Sequence, residues 1–165
     1  MLLTTAVLVL LVSLLLYWWL VARNRPAIAP LAIDQDDPLM TEAIAQARAG
    51  LGQFRRLLDE HPRAGSVKLP FDSNSGETEF IWAEVKLIED DQVEVLYSTP
   101  PVSHSGRIER QQRHPLSDIV DWVVELPGGM RRGGYTMRVM FQRAREQWGK
   151  LPAELQAEEE KYLWS

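Results

Sequence analysis

Between residues 58 and 67 the apolar side chains of this sequence change their spacing, and that change directs the chain toward a helix laid on a sheet. Before it, Met40, Ala43, Ile44, Ala47, Leu51, Phe54, Leu57 and Leu58 recur at intervals of three and four, one face of a helix. After it, Val67, Leu69 and Phe71 alternate with Ser66, Lys68 and Pro70, the period of a strand with one buried face. Asp37 and Pro38 supply the helix start, as N-cap and first helical residue, with Asp34, Asp36 and Asp37 near the positive end of the helix dipole. Gly50 and Gly52 weaken this helix by about 1 kcal/mol each relative to alanine. His61-Pro62 ends it.

The period of two then persists. Asp72-Ser73-Asn74-Ser75-Gly76 reads as a turn. Ile81, Ala83, Val85 and Leu87 share one strand face, with Phe80, Trp82, Glu84 and Lys86 on the other. Glu89-Asp90-Asp91 turns the chain into Val93, Val95 and Tyr97. Ser98-Thr99-Pro100-Pro101 is a loop, because consecutive prolines cannot continue a ladder, and the polar stretch Arg107 to Arg113 is an edge strand or a long loop. Pro115 to Ile119 suits one helical turn, with Ser117 as its cap. Trp122 to Leu126 is a strand that Pro127-Gly128-Gly129 turns back. Tyr135, Met137, Val139 and Phe141 alternate as a last strand, Phe141, Ala144 and Trp148 shift to helical spacing, and Pro152 opens a final acidic helix ending at Trp164. The expected fold class is α+β: an amphipathic helix packed on a strongly bent, partly barrel-like antiparallel sheet, with a C-terminal helix.

Met1 to Ala22 contains no charged side chain, proline or glycine, and closes with Tyr17-Trp18-Trp19 before Arg23, Asn24 and Arg25. A helix of about twenty residues spans roughly 30 Å, the hydrocarbon thickness of a bilayer. The run predicts a single transmembrane helix, contacting the lipid bilayer through residues 1–22 at a bacterial inner membrane. A cleaved signal would need a basic leader and a shorter apolar core, and a lipoprotein signal would need a cysteine, of which the chain has none. A buried core helix seldom runs this long without a polar face. Arg23 and Arg25 place the following domain in the cytoplasm by the positive-inside rule. The expected organisation is therefore an anchor over 1–22, a stiff proline-containing juxtamembrane linker over 23–36, and one soluble domain over 37–165.

The chain carries a net charge of −5, and removing Arg23 and Arg25 leaves the rest more acidic still. Such a domain is repelled by phosphate backbones, which argues against nucleic-acid binding. The local acidic runs, Glu89-Asp90-Asp91 and Glu158 to Glu160 among them, read as turns and solvated helix faces.

Three histidines, His61, His104 and His114, lack the spacing of a metal-ligand pair, so no metal and no cofactor is expected. His104 lies between Ser103 and Ser105, but no orienting group or oxyanion hole accompanies it. Asp118 and Asp121 could pair as acid and base; the simpler reading is that Asp118 caps a turn and Asp121 bonds backbone amides beside Trp122. Gly133-Gly134 lacks the lysine and the strand–loop–helix setting of a phosphate loop, and better marks a place where backbone passes under a large ring, Trp82 or Trp122. Arg138 could pair with Glu84 or Asp121. The candidate binding residues are Trp82, Asp121, Trp122, Tyr135 and Arg138, an aromatic–arginine patch of the kind that recognises a protein or peptide.

Several motifs occur in order over about residues 39–141: Met40-x-x-Ala43-Ile44-x-x-Ala47, Phe54, Val67-Lys68, Glu79-Phe80-Ile81-Trp82, Pro100-Pro101, Asp121-Trp122 and Gly133-Gly134-Tyr135-Thr136-x-Arg138. By these the chain resembles the YegJ-like bacterial domain of unknown function. The last two are the most specific. The family pattern has a histidine where Phe80 stands and Asn-x-Pro where Ser98-Thr99-Pro100 stands, so a site using those side chains is altered here. The resemblance implies an α+β fold and no activity. Two functions are expected: a membrane-tethered, non-catalytic interaction module, or a hydrolase-like enzyme of small molecules with a site near Asp118, Asp121 and His104.

Overall fold

The computed structural model describes residues 37–164. Its elements are helices α1 (Pro38–Ala49) and α2 (Leu51–Glu60), strands β1 (Gly65–Asp72), β2 (Thr78–Glu89), β3 (Gln92–Leu96), β4 (Gln111–Pro115), β5 (Asp121–Glu125) and β6 (Arg131–Gly133), then helices α3 (Tyr135–Trp148) and α4 (Ala153–Glu159).

Asp37 sets the start of α1 as its sequence position suggests: Oδ1 accepts the Leu39 N–H at 2.9 Å, with Pro38 first in the helix. The same carboxylate accepts two bonds from the Arg143 guanidinium of α3, at 2.7 and 2.8 Å. One carboxylate thus caps one helix and ties it to another. The single long helix expected here is two helices that meet at Gly50. The Trp122 ring and the Tyr135 hydroxyl come within 3.0 Å of the point a Gly50 Cβ would occupy, so the helical path turns where the chain crosses that ring.

The strands form one antiparallel sheet in the order β4-β3-β2-β1-β5-β6. β4 and β6 are its two edges and do not pair with each other, so the partly barrel-like closure expected from sequence is corrected to an open sheet. Strand register sorts the side chains. Val67 faces Ala83 on one side and Trp122 on the other, all three inward; Lys68 faces Trp82 and Asp121, all three on the opposite face. The inward set, with Leu69, Val93, Val95, Tyr97 and Val124, packs against Ala47 and Phe54 of the first two helices. A bulge between Val85 and Leu87 inserts Lys86 and reverses the alternation. Leu87, expected on the buried face, is therefore exposed, and Ile88 packs against the core instead.

Tyr135 to Phe141, expected as a last strand, is the first half of α3. Alternating apolar residues over seven positions also satisfy a helix with two packed sides, and the deciding contact is non-local. Asp121 accepts the Tyr135 and Thr136 N–H groups at 3.1 and 2.8 Å, satisfying the first orphan donors of α3 from another strand. Arg107 to Arg113 resolves into a loop and the edge strand β4. The other edge is covered by the chain's own C-terminal segment: Arg131 N–H donates to Lys161 O at 2.7 Å, and Leu163 N–H donates to Arg131 O at 2.8 Å.

The single-pass membrane placement is also corrected. Among the described residues no helix is long and apolar enough to cross a membrane. The longest, α3, has 14 residues, and at 1.5 Å per residue it spans about 21 Å, short of the roughly 30 Å required. The expected transmembrane helix over 1–22 and the linker over 23–36 lie outside the described residues. The inner-membrane location and the cytoplasmic orientation rested on that segment and have no support among the described residues.

Candidate functional site

The predicted aromatic–arginine patch is divided by the sheet. Trp122 points inward and is fully buried. Its ring stacks on Phe54 at 5.2 Å between centroids and meets Tyr135 edge-on at 5.6 Å. Its Nε1–H donates to Ala47 O at 2.8 Å, which satisfies the indole's one polar atom inside the core. Tyr135 is half-buried beside it, and burial raises its phenol above the ordinary range, with the Asp121 charge adding to the shift. Gly133 passes against Trp122, one of the two rings the sequence suggested, whereas Gly134 meets Tyr162 instead. At Gly133, with φ +91°, a Cβ would lie 2.2 Å from Trp122 O and 2.6 Å from its ring; at Gly134 it would lie 2.4 Å from the ring of Tyr162.

Asp121 is fully buried and engages four donors. Oδ1 accepts from Trp122 N–H (2.8 Å) and Tyr135 N–H (3.1 Å), and Oδ2 from Thr136 N–H (2.8 Å) and the Thr136 hydroxyl (2.6 Å). Burial pushes its carboxyl above the usual aspartate range, against the pull of these donors. Across the strand pair lies Lys68, pushed below the usual lysine range by burial and drawn back by the Asp121 charge. Sequence reasoning passed over Lys68 because a lysine in an alternating strand ordinarily points into water.

Trp82 is half-buried on the opposite sheet face from Trp122. It lines a groove of about 310 Å³ with Ser66 and Val123 from neighbouring strands and Met137 from α3. Ala64, Glu125, Arg131, Glu158 and Tyr162 complete the wall. Arg131 is held there by Glu158 and lies 5.6 Å over the Tyr162 ring. Phe80, next along the same face as Trp82, is 42% exposed. Arg138 is exposed and sits 5.9 Å over the Trp164 ring. Of the two partners considered for Arg138, Glu84 is bound by Lys86 and Ser98 at 2.8 and 2.9 Å, and Asp121 by the donors of Trp122, Tyr135 and Thr136.

The groups considered for catalysis each have their own surroundings. His104 Nδ1 accepts the Asn74 N–H at 3.2 Å, and its ring meets Phe71 edge-on at 5.5 Å. Its loop is clamped by Glu79, whose carboxylate accepts from Val102 N–H, Ser103 N–H and the Ser103 hydroxyl. Asp118 takes the Ser117 hydroxyl at 3.5 Å and acts electrostatically on His114. His114 Nε2 in turn lies 3.0 Å from the buried Tyr97 hydroxyl. Neither the groove at Trp82, nor the cavity beside Arg55 and Ile88, nor the depression beside Glu94 and Arg113 is lined by His104, Asp118, Asp121 or Arg138. Among the described residues, no group of three or more His, Cys, Asp or Glu could hold a metal ion.

A family model described as an uncharacterized protein conserved in bacteria, DUF2314, matches residues 37–150. The match takes in Ser66, Trp82, Val123 and Met137 of the groove and stops before Glu158 and Tyr162. It does not carry the narrower YegJ-like name. No curated protein and no solved structure matches the chain.

Proposed function

The chain belongs to the DUF2314 family of proteins conserved in bacteria, and from that premise we propose that residues 37–164 form a non-catalytic interaction module whose partner is a protein or peptide segment laid over Trp82. Within the family we assign it to the YegJ-like domains, on its Asp121-Trp122 and Gly133-Gly134-Tyr135-Thr136 motifs. The observation that carries the binding reading is the groove itself. A large indole stands half-open in a concave site of about 310 Å³, with Phe80 exposed further along the same face. An aromatic anchor in a depression is what a short apolar side chain of a partner would fill. Glu158 is taken up by Arg131 and Lys161, which leaves Glu125 as the carboxylate the wall presents, on a chain of net charge −5, so the partner segment carries a cation beside its apolar residue. The dispersal of His104, Asp118, Asp121 and Arg138 favours this reading over a hydrolase.

The test is selection of displayed random peptides against the full chain, followed by affinity measurement. Enriched peptides should pair an apolar residue with a lysine or arginine. Trp82→Ala should weaken them at least about tenfold, as loss of a central aromatic anchor does, and Glu125→Gln should weaken them less. Peptides that bind Trp82→Ala as tightly as the parent chain would refute the assignment.

A further inference from the structure

A second concave site lies where α2 meets the bulge in β2. It is a cavity of about 460 Å³. Its apolar lining comes from Leu58, Pro62, Val85, Leu87 and Ile88, of which Leu58, Val85 and Ile88 belong to or pack against the main core. The bulge makes this possible: by inserting Lys86 it brings Val85 and Ile88 to the same side and leaves Lys86 beside them at the exposed margin. The charged lining is Arg55, Arg63 and Lys86 against the single carboxylate of Asp59. Lys86 is already paired with Glu84 at 2.8 Å, so Arg55 and Arg63 are the cations left to the cavity, one more than its single carboxylate.

Backbone geometry singles out the same place. Arg63 (φ 67°) and Asp90 (φ 51°) are the non-glycine residues with positive φ among those described. Arg63 lines the cavity, and the Asp90 carbonyl accepts a bond from the Arg55 guanidinium. Asparagine, aspartate and glycine adopt this conformation readily, so Asp90 is an ordinary turn residue. Arginine gains nothing from it. The Arg63 guanidinium has no hydrogen bond or ion pair among the described residues, so neither the local turn nor a contact within the fold accounts for the residue type. Strained residues of this kind cluster at ligand sites.

We propose that this cavity binds an organic oxyanion, a carboxylate or phosphate monoester on an aliphatic body. Arg63 and the unengaged N–H groups of Arg55 would grip the oxyanion, and Leu58, Val85 and Ile88 would take the aliphatic part. A guanidinium fork matches either oxyanion, whereas a lysine would supply only a point charge. The site is separate from the Trp82 groove and shares no lining residue with it.

Calorimetric titration of the full chain with octanoate, octyl phosphate and octylammonium tests the assignment. One or both anions should bind saturably at one site and octylammonium should not; the tighter of the two anions tells carboxylate from phosphate monoester. Arg63→Gln should lose roughly tenfold or more in affinity, the scale of one charge-assisted hydrogen bond, at an unchanged melting temperature. Arg63→Gly should lose affinity too while melting at a higher temperature, because glycine relieves the positive φ. Failure of both anions to bind, equal affinity in Arg63→Gln, or equal binding of octylammonium would each overturn the proposal.

Discussion

Trp82 and Trp122 lie one on each side of β1, opposite consecutive residues Lys68 and Val67, and their fates diverge by strand parity alone. Trp122 falls on the face that α1 and α2 cover. It is fully buried, stacked on Phe54, bonded through Nε1 to Ala47 O, and pressed against Gly133 so closely that no other residue fits there. Trp82 falls on the opposite face, half-buried at a groove whose walls come from β1, β5, α3 and the C-terminal segment. The lesson is that residue type does not separate fold from recognition in this sheet; register does. One ring closes the core and the other is left where a partner can reach it.

The comparison breaks first at Trp122. Trp122→Ala should cost about 3–5 kcal/mol, the range for deleting a large buried aromatic side chain, and circular dichroism of the full chain should show the cooperative transition lost or shifted far down. A variant that melts like the parent would mean that the inner ring is not structural. Asp121 tests the same side one step removed. Asp121→Ala strands the N–H groups that open α3 and should cost roughly 2–3 kcal/mol in urea unfolding, the sum of a lost cap and buried unsatisfied donors. Asp121→Asn, which keeps one acceptor, should cost less.

A smaller effect depends on pH and lies at the far end of the inner face. Burial holds the His114 imidazole below its ordinary value of 6.5, with Asp118 opposing, and the ring is bonded to the Tyr97 hydroxyl, itself pushed up to about 12 by burial. The folded state thus keeps His114 neutral at a pH where the unfolded chain already binds a proton. That contribution is complete above pH 6.5 and falls away as the pH drops from there through the folded-state value. The urea midpoint should therefore fall between about pH 7.5 and 5.5, and His114→Gln should flatten that slope. A slope unchanged in His114→Gln would assign the dependence elsewhere. Smallest in stability is Trp82→Ala, which should cost no more than about 1 kcal/mol, since it removes a half-open ring and leaves no buried polar atom stranded. A loss as large as that of Trp122→Ala would erase the distinction between the two faces.

Much of the fold is legible because the inward residues of β1, β3 and the first two-thirds of β2 alternate cleanly and because Asp37-Pro38 carries a local helix start. What escaped depends on partners far along the chain. The break at Gly50 answers to the ring of Trp122, and the start of α3 answers to Asp121, neither of them a neighbour in sequence. A one-residue bulge at Lys86 left no local signal, yet it moved Leu87 outward. The candidate site was half legible. Trp82, Asp121 and Trp122 lie on the strands that flank β1, and Tyr135 and Arg138 on α3, but alternation sends Trp122 inward, and the Asp121 oxygens are occupied largely by the donors of α3. Lys68, Val123 and Met137 join Trp82 or Asp121 only through strand register and helix packing, which composition does not announce.

The division of labour between the two rings is tested most directly by the affinity of a selected basic–apolar peptide for the full chain carrying Trp82→Ala, measured where its melting curve is shown to be intact. An affinity reduced at least about tenfold on a fully folded protein is the expected result. Undiminished binding on that folded variant would contradict it.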